Sequence, residues 1–357
     1  MPICGVRTSD LSLNVQEVRL GSNPCPSLHL GIFERKLFYT MSIYYFSYGE
    51  YLKQIFPFKV YKIALDAGFT CPNRDGLVGF GGCIYCDNKS FSPNSKGAKK
   101  SVHNQISQGI EFYRTNFRGE RFIIYFQAYT NTYGPVSLLK ELYDEALSFP
   151  EVVGISIGTR PDCLPEDVLD LLLTYSKKTH LWVEIGLQSM HNETLSLINR
   201  GHTFEQFVDA TILAKQMGLK VCIHTILGLP GETHDMMMKT ADSLANLNID
   251  GLKVHHLYVA ENTLLAKQYK AGLIKTLSLE EYIALACDFL ERIPSNVAIQ
   301  RLTGELKGES LIAPNWGVSK KAVLAAIEKE FARRDSYQGK CCHSIHYCPS
   351  ISLPSTH

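Results

Sequence analysis

Short apolar runs alternate with amphipathic stretches between Lys59 and Tyr258. Each run is apolar on both faces, which is typical of parallel strands covered by helices. The predicted strands are Val60–Gly68, Phe122–Ala128, Val152–Thr159, Leu181–Gln188, Lys220–Leu227 and Leu252–Tyr258. The stretches between them predict helices over about 104–116, 136–148, 165–176, 203–217 and 233–246. Pro135 and Pro165 stand where helices begin, and Gly218 where one ends.

Six such strand–helix units with right-handed crossovers predict an α/β fold, a partial (β/α)6 barrel that is open on one side. Downstream, Ser278–Arg292 predicts a helix, Val297–Leu302 a short strand and Lys320–Arg334 a second amphipathic helix. We interpret these three elements as a C-terminal extension that packs near the mouth of the barrel.

The pattern divides the chain into four parts. Residues 1–41 mix prolines, glycines and scattered charges without the order of a signal peptide, so we expect a disordered or mis-assigned extension before Met41. Residues 42–300 form the core domain, 301–340 the C-terminal extension and 341–357 a disordered tail. A second metal site remains an alternative for the tail, which carries Cys341, Cys342, His343, His346 and Cys348.

Composition changes this picture little. A hydrophobic content of 45% and a charged content of 20% are ordinary for an enzyme, and a net charge of +1 argues neither for nor against nucleic acid. No apolar stretch is long enough to cross a membrane, so we expect no membrane partner. Eleven cysteines indicate reduced thiols with a few metal ligands, and hence a cytoplasmic protein, not a disulfide framework.

Candidate chemistry begins in a glycine-rich loop after the first strand. Cys71 and Cys83 are separated there by eleven residues, and Cys83 and Cys86 by two. Three thiolates are one too few for a saturated iron–sulfur or structural zinc site. The spacing therefore favours a four-iron cluster with one iron left open to bind another molecule. A zinc site completed by a distant residue such as His103, or three ordinary free thiols, remain alternatives.

Further polar and glycine-rich segments follow the other strands. Because the chemistry of such a barrel sits at the carboxyl ends of its strands, these segments are candidates for one shared site. They are Gln127–Thr132, Thr159–Asp162, Gln188–Ser189 and Gly228–Gly231.

Several motifs extend these segments. They are Phe69-Thr-Cys-Pro-Asn-Arg-Asp-Gly76, Ile157-Gly-Thr-Arg-Pro-Asp162, Glu184-Ile-Gly-Leu-Gln188 with Asn199-Arg-Gly-His-Thr203, and Gly228-Leu-Pro-Gly-Glu-Thr233. The set resembles radical S-adenosylmethionine (SAM) enzymes, in the long-spaced subgroup of the YhcC-type proteins and the catalytic subunit of Elongator. The last motif is also similar to anaerobic coproporphyrinogen oxidase. Gln300–Gly304 and Arg333–Gly339 resemble YhcC-type proteins only.

The resemblance implies two cofactors, a [4Fe–4S] cluster on Cys71, Cys83 and Cys86, and SAM, whose reductive cleavage gives a 5′-deoxyadenosyl radical. It also implies SAM contacts, although the usual Gly-Gly-Glu segment is absent and Gly158 replaces an acidic residue. The implied contacts are Tyr85 for adenine, and Gln127 and Tyr129 for the methionine amino group. Thr159 and Arg160 would contact ribose, and Gln188 and Arg200 would contact ribose and the methionine carboxylate. His224, in place of an aspartate, and Gly228 complete the implied set.

From the residues alone, each contact has an alternative explanation. Gln188 and Thr159 are also what plain polar groups at strand ends look like, and Arg200 reads equally as a solvated helix charge. The Gly228–Thr233 segment would serve as a turn whose Thr233 caps the next helix. His255 and His256 are typical of satisfied barrel residues.

The resemblance also implies a substrate, the wobble uridine of transfer RNA, whose carboxymethylaminomethyl group would be remodelled to aminomethyl. No Gln-x-x-Gly-x-Gly loop for acetyl-CoA follows residue 300. Basic residues that suit phosphate contacts are Lys96, Lys99, Lys100, Arg114, Arg118, Arg121, Lys320, Lys321, Lys329, Arg333, Arg334 and Lys340. A low-potential electron donor such as flavodoxin or ferredoxin is expected. The alternatives are a small metabolite, peptide or porphyrin as substrate, or a non-catalytic relative that binds haem or a cluster.

Overall fold

A computed structural model describes residues 44–87, 100–304 and 310–342 of the chain. Its main feature is a seven-stranded parallel sheet in which each strand lies beside the strand of the sheet that follows it along the chain. From one edge of the sheet to the other, the strands are β1 Val60–Leu65, β2 Arg121–Phe126, β3 Val152–Thr159, β4 His180–Gln188, β5 Val221–Leu227, β6 Gly251–His256 and β8 Ala298–Arg301. The sheet curls into an open barrel, so the prediction of a partial barrel is confirmed.

Helices cover the outer face of the sheet and seal an apolar layer against it. The helices are α1 Tyr48–Ile55, α2 Val102–Phe117, α3 Val136–Leu147, α4 Glu166–Ser176, α5 Asn192–Leu197, α6 Phe204–Gln216, α7 His234–Ala245, α8 Leu264–Lys270, α9 Leu279–Leu290 and α10 Lys320–Arg333. A small antiparallel pair joins β7 Val259–Ala260 to β9 Leu311–Ala313. The expected helices all appear, and α1, α5 and α8 are too short to give a clear period in the sequence.

The short strand placed in the C-terminal extension has a larger role than expected. β8 pairs in parallel with β6, with Gly251 opposite Ala298 and Leu252 opposite Ile299, so it continues the barrel sheet as a seventh strand. Its four residues end in the polar pair Gln300 and Arg301, which is too little apolar pattern to reveal the pairing. The limits of the expected domains otherwise stay predictions.

The segment before α1 packs against the amino-terminal end of the barrel. Ser47 and Glu50 form a capping box that starts α1. The rings of Tyr51 and Tyr48 contact the buried Trp182 of β4, at centroid distances of 5.3 and 6.0 Å. The Phe46 carbonyl accepts a hydrogen bond from the Ile299 N–H at 2.8 Å, which attaches this segment to β8.

Gln338, from the Arg333–Gly339 motif, ties the two ends of the described chain together. Its side chain accepts from the Phe46 N–H at 2.9 Å and donates to the carbonyls of Pro294 and Val297 at 2.7 and 2.9 Å. The side chain is almost fully buried. This motif therefore has a structural explanation, because it anchors both the amino-terminal segment and the loop before β8.

The structure describes no helix long and apolar enough to span a bilayer. The expected extension over residues 1–41 and the tail beyond Cys342 lie outside the described residues, as do Lys96 and Lys99.

Candidate active site

One cavity of about 870 Å³ occupies the barrel, and its lining includes residues at the carboxyl ends of the strands. This volume is toward the upper end of the range of ~300–1,000 Å³ usual for ligand pockets. Its lining contains the three cysteines and eight of the nine residues expected to contact SAM. These residues are Cys71, Cys83, Cys86, Tyr85, Gln127, Tyr129, Thr159, Arg160, Gln188, Arg200 and His224.

Gly228 is the exception, since it does not line the cavity. Its φ of +81° is the left-handed conformation that glycine adopts readily, and a Cβ there would lie 2.8 Å from Cδ1 of Leu277. Its N–H donates to Sδ of Met237 on α7 at 3.2 Å. The turn explanation fits these contacts, and Thr233 caps α7 by accepting from the Met236 N–H. Contact of Gly228 with SAM stays a prediction.

The cysteine loop is held by an asparagine near its start. Asn73 is buried, and its amide Nδ2 donates to the Asn199 carbonyl at 2.5 Å and points at Sγ of Cys83 at 3.8 Å. The Gly82 N–H donates to the Asn73 carbonyl at 2.8 Å, and Nη1 of Arg74 donates to the Cys86 carbonyl at 3.3 Å. These bonds fix the backbone on both sides of Cys83.

The Asn199-Arg200-Gly201 segment, which follows α5, closes over this loop. The amide of Asn199 donates to the Gly82 carbonyl at 2.8 Å, and the Ile84 N–H donates to the Ile198 carbonyl at 3.0 Å. Gly201 has a φ of +75°, and a Cβ there would lie 2.5 Å from Oδ1 of Asn73. The motif therefore requires glycine at this position for two reasons, its backbone conformation and the close approach of Asn73.

Arg200 is a buried cation beside the thiols, not the solvated charge of the alternative explanation. Its Nη1 lies 3.6 Å from Sγ of Cys83, and its Nη2 donates to the Gly186 carbonyl at 2.7 Å. Burial works against the charged guanidinium, but the neighbouring Cys83 raises the pKa of Arg200 above its usual value. Among the described residues its Nε has no partner, so one donor is left for another group.

Arg160 and Thr159 already hold partners at the end of β3. The Arg160 guanidinium makes two 2.8 Å bonds to the carboxylate of Asp162 and a 2.7 Å bond to the Arg200 carbonyl. The Thr159 hydroxyl lies 2.5 Å from that of Thr132. Arg160 thus supports the backbone of Arg200, and contact of either residue with ribose stays a prediction.

The remaining expected SAM contacts lie around the cysteines. Tyr85 stands between Cys83 and Cys86, and burial raises the pKa of its phenol well above the usual value. Tyr129 has a φ of +63°, and its ring centroid lies 5.9 Å from the Arg74 guanidinium. Gln188 has a φ of +80°, and its buried Oε1 has no partner among the described residues. Strained or unpartnered groups of this kind are common where a ligand binds.

A charged cluster lies deeper in the barrel and was missed by sequence reasoning. The fully buried Glu184 of β4 accepts from Nζ of Lys62 on β1 at 3.0 Å and from Nε2 of His224 at 2.9 Å, and it also pairs with Lys253 of β6. Burial alone would raise the pKa of Glu184, but Lys253 and Lys62 hold it well below the usual value. Burial, followed by the charge of Lys253, lowers the pKa of His224 to about 3, so a neutral imidazole donates through Nε2.

The signal for this cluster was present in the sequence. Glu184 and Lys253 each interrupt a strand that is otherwise apolar on both faces, and charges in such strands are rarely buried unless paired. His255 and His256 were expected to be satisfied barrel residues, but His255 lines the cavity and the buried Nδ1 of His256 has no partner among the described residues. The Nδ1 of His255 lies 3.0 Å from the His256 carbonyl, and the ring of His256 packs on Trp316 at a centroid distance of 4.2 Å.

The donor set fits an iron–sulfur cluster. All three cysteines are free, and both Arg200 and Asn73 approach Sγ of Cys83, as donors to cluster sulfurs do. Burial, with the neighbouring Cys83, raises the pKa of the Cys86 thiol to about 12, and a bound metal would favour the ionised form of this thiol. No three His, Cys, Asp or Glu side chains in the described ranges are placed to hold a single metal ion.

Comparison with known families agrees with this site. Residues 71–244 match the family model described as Radical SAM superfamily, and residues 249–333 match the Radical_SAM C-terminal domain. The first match begins at Cys71 and spans the sheet from β2 to β5, and the second contains β6 and β8.

Similar proteins fall in the same family. The chain is 43% identical over 296 residues to the uncharacterized protein YtqA of Bacillus subtilis, covering 83% of this chain and 92% of YtqA. It is 38% identical over 270 residues to the protein YhcC of Escherichia coli, covering 75% of this chain and 86% of YhcC. The chain belongs to the radical SAM superfamily and, within it, to the family of YtqA and YhcC. Its cofactors are therefore a [4Fe–4S] cluster and SAM.

More distant relatives are similar over part of the chain. A tRNA uridine(34) acetyltransferase of Methanocaldococcus infernus is 30% identical over 192 residues, which is 53% of this chain and 35% of that enzyme. The solved structure of M. infernus Elp3 with an N-terminal deletion has a TM-score of 0.58 at 22% identity, covering 78% of this chain and 64% of that one. That likeness supports the barrel fold.

Proposed function

We propose that this radical SAM enzyme remodels the wobble uridine of transfer RNA, converting a carboxymethylaminomethyl group to an aminomethyl group. The observation that carries the proposal is the similarity to an enzyme named tRNA uridine(34) acetyltransferase. The similarity covers about half of this chain and about a third of that enzyme, in agreement with the missing acetyl-CoA loop. The shared part would therefore be the radical chemistry.

Each part of the cavity has a place in this reaction. Cys71, Cys83 and Cys86 would hold the cluster, and Arg200 and Gln188 would offer their unpartnered Nε and Oε1 to SAM. When bound, the cluster and SAM supply the 5′-deoxyadenosyl radical. The protein's own residues orient the substrate in the barrel and keep water from the reacting atoms.

The conversion balances without any further oxidant. The bond between the amine nitrogen and the carboxymethyl carbon breaks with loss of two electrons and addition of water, which gives aminomethyluridine and glyoxylate. Reductive cleavage of SAM to methionine and 5′-deoxyadenosine takes up those two electrons. A low-potential donor such as flavodoxin or ferredoxin would prime the cluster, in the cytoplasm.

Phosphate contacts would come from exposed lysines near the cavity. Lys320 lines the cavity, and Lys321 and Lys329 are exposed on the same helix, α10. Arg114 and Arg333 are engaged in ion pairs, with Glu151 at 2.9 Å and with Glu330 at 2.7 Å. We expect binding of unmodified transfer RNA to weaken steeply with salt, which a small-metabolite enzyme would not show.

Mass spectrometry of bulk transfer RNA nucleosides tests the proposal in a strain that lacks the gene. We expect the carboxymethylaminomethyl nucleoside to accumulate and the aminomethyl nucleoside to disappear. The wild-type gene and a Cys287→Ala variant, altered at a buried cysteine outside the cavity, should restore the product, whereas Cys83→Ala should not. Unchanged wobble nucleosides would overturn the proposed substrate and would favour a small metabolite, peptide or porphyrin.

A further inference from the structure

More cationic than anionic side chains line the cavity, both near the cysteines and deeper in the barrel. Among the described residues that line it, Glu184 is the one carboxylate. The cationic lining residues are Lys62, Arg74, Arg160, Arg200, Lys253, Arg301 and Lys320. Arg160 has its own partner in Asp162, and Arg74 and Arg200 lie beside the cysteines. Of the other four, Lys320 is exposed, whereas Lys62, Lys253 and Arg301 are buried or half-buried. We call these three residues, together with Glu184, the floor of the cavity. Lys62 and Lys253 pair with Glu184.

Glu184 cannot satisfy this group of cations. Its Oε1 accepts from Lys62, and its Oε2 accepts from both His224 and Lys253. An ammonium group has three donors, and the described contacts use two on Lys62, including a 3.3 Å bond to Oε1 of Gln300, and one on Lys253. Arg301 lines the cavity without a carboxylate partner among the described residues. Lys253 is buried, and Lys62 and Arg301 are half-buried, so three cations share one carboxylate in a partly desolvated part of the cavity. A second anion bound there would have its charge balanced by the two cationic charges that Glu184 does not neutralise.

Lys62 and Lys253 lie close together on the floor, because both bond to the carboxylate of Glu184. Both ammonium groups also approach the ring of Tyr125, with Nζ of Lys253 at 4.2 Å and Nζ of Lys62 at 4.9 Å from its centroid. Glu184 precedes Gly186 by two residues on β4, and Gly186 accepts from Arg200, which touches Cys83. At ~3.3 Å per strand residue, the floor lies about 7 Å below the level of Arg200.

We propose that Lys62, Lys253 and Arg301 form a subsite that binds a carboxylate of the substrate. The identity of that carboxylate rests on the proposed function, because the carboxymethylaminomethyl group ends in one and the aminomethyl product has none. Binding it at the floor would place the carbon beside it toward the cofactor side of the cavity. Loss of the carboxylate would also lower the affinity of the enzyme for its product.

The competing explanation is that the two lysines only neutralise Glu184. The two explanations differ in one measurable property, the preference for an acid over its uncharged amide. The probes are two anticodon stem-loop RNAs that carry the carboxymethylaminomethyl group either as the acid or as its carboxamide. We expect the wild-type holoenzyme to favour the acid in kcat/KM by about 10- to 100-fold, the range of a hydrogen bond to a charged group.

Removal of either lysine charge should reduce this preference. Lys62→Met and Lys253→Met keep most of the side-chain volume, and we expect acid and amide to become nearly equivalent substrates. Lys220→Met is the matched control, because Lys220 is a partly buried lysine outside the cavity, at 5.9 Å from the Tyr51 ring centroid. It should keep the wild-type preference. The formation of 5′-deoxyadenosine reports how much of each preparation carries both cofactors.

Glu184→Gln gives an independent test if a lysine variant fails to fold. Glu184 raises the pKa of Lys253, so this comparison is made at a pH low enough to keep Lys253 charged in the variant. Without the competing carboxylate, both ammonium groups are then available to the substrate, and the preference for the acid should rise by several-fold. If the lysines serve only Glu184, the preference should not change. This variant moves the result in the opposite direction from the lysine variants, which a merely structural role would not do.

The pH dependence gives a second readout. Burial is the main cause that lowers the pKa of Lys253 to about 8. The charged and titratable groups that face it are Glu184, Lys62, Arg301, Cys222, His224, His255 and Tyr125. Because the ammonium form attracts the carboxylate, the kcat/KM for the acid should fall as the pH rises through about 8, while that for the amide should stay nearly level. An acid preference that is unchanged on both sides of this pH would contradict the subsite.

The possible failures can be told apart. If the wild-type enzyme converts the acid but the lysine variants keep its preference, the subsite is wrong and the proposed function stands. If the wild-type enzyme converts neither RNA although it cleaves SAM, the proposed function fails, and the assignment of the carboxylate fails with it.

Discussion

At the level of single residues, Arg200 connects three parts of the active site. It touches Sγ of Cys83, bonds to the Gly186 carbonyl, and offers a buried Nε that no described group accepts. Its backbone carbonyl is held in turn by Arg160. Gly186 makes this arrangement possible, since a Cβ there would lie 2.6 Å from Nη2 of Arg200 and 2.9 Å from Nε2 of Gln188.

Gly186→Ala should therefore displace Arg200 and Gln188 together. We expect the affinity for SAM to fall by about tenfold or more, because a charged hydrogen bond is worth roughly 1.5–3 kcal/mol. Binding of SAM to the reconstituted protein can be measured by equilibrium dialysis. Gly49→Ala is the control, since its Cβ would meet only Oγ of Ser47 at 3.8 Å. Equal affinities of the two variants would show that Arg200 and Gln188 do not hold SAM.

The sequence indicates which residues line the site better than it indicates their hydrogen-bond and ion-pair partners. Polar groups at strand ends could be assigned to one cavity, because parallel strands bring their carboxyl ends together. That rule placed Gln127, Thr159 and Gln188 correctly in the lining. It could not show that Arg160 is already bonded to Asp162, or that Lys253 meets Glu184 across the barrel, because such pairs depend on strand register and side-chain direction.

At the scale of elements, the ends of the described chain stabilise the edge of the barrel. β8 pairs with β6 on one side, and the Ile299 N–H bonds to Phe46 on the other. Gln338 joins that segment to the loop that precedes β8. The sequence predicted β8 as a short strand but could not give its neighbours, since four residues carry little pattern and the partner segment at Phe46 is distant along the chain.

Gln338→Leu should destabilise the fold without touching the cavity. The change leaves one buried N–H and two carbonyls without their partners. We therefore expect the free energy of unfolding to fall by about 2–4 kcal/mol. Urea unfolding followed by circular dichroism measures the loss. Tyr337→Leu, at an adjacent residue whose side chain is 54% exposed, should change the free energy of unfolding by less than about 0.5 kcal/mol. A Gln338→Leu variant as stable as that control would contradict the anchoring role.

At the scale of the whole molecule, the barrel separates two kinds of chemistry along its axis. The carboxyl ends of the strands carry the cysteines and Arg200, and the interior below them carries Glu184 between two lysines. Aromatic residues of α1 close the amino-terminal end against Trp182. The alternation of apolar runs predicted the barrel. The depth and charge of its interior could not be predicted, because they depend on how the side chains of all seven strands face one another.

We propose above that this cavity uses SAM to remodel a wobble uridine. The most direct measurement incubates the anaerobically reconstituted enzyme with reductant, SAM and transfer RNA that carries carboxymethylaminomethyluridine, and follows nucleosides and 5′-deoxyadenosine by mass spectrometry. The account predicts that aminomethyluridine and 5′-deoxyadenosine appear in equal amounts, and that Cys83→Ala forms neither. Release of 5′-deoxyadenosine with an unchanged wobble nucleoside would contradict it.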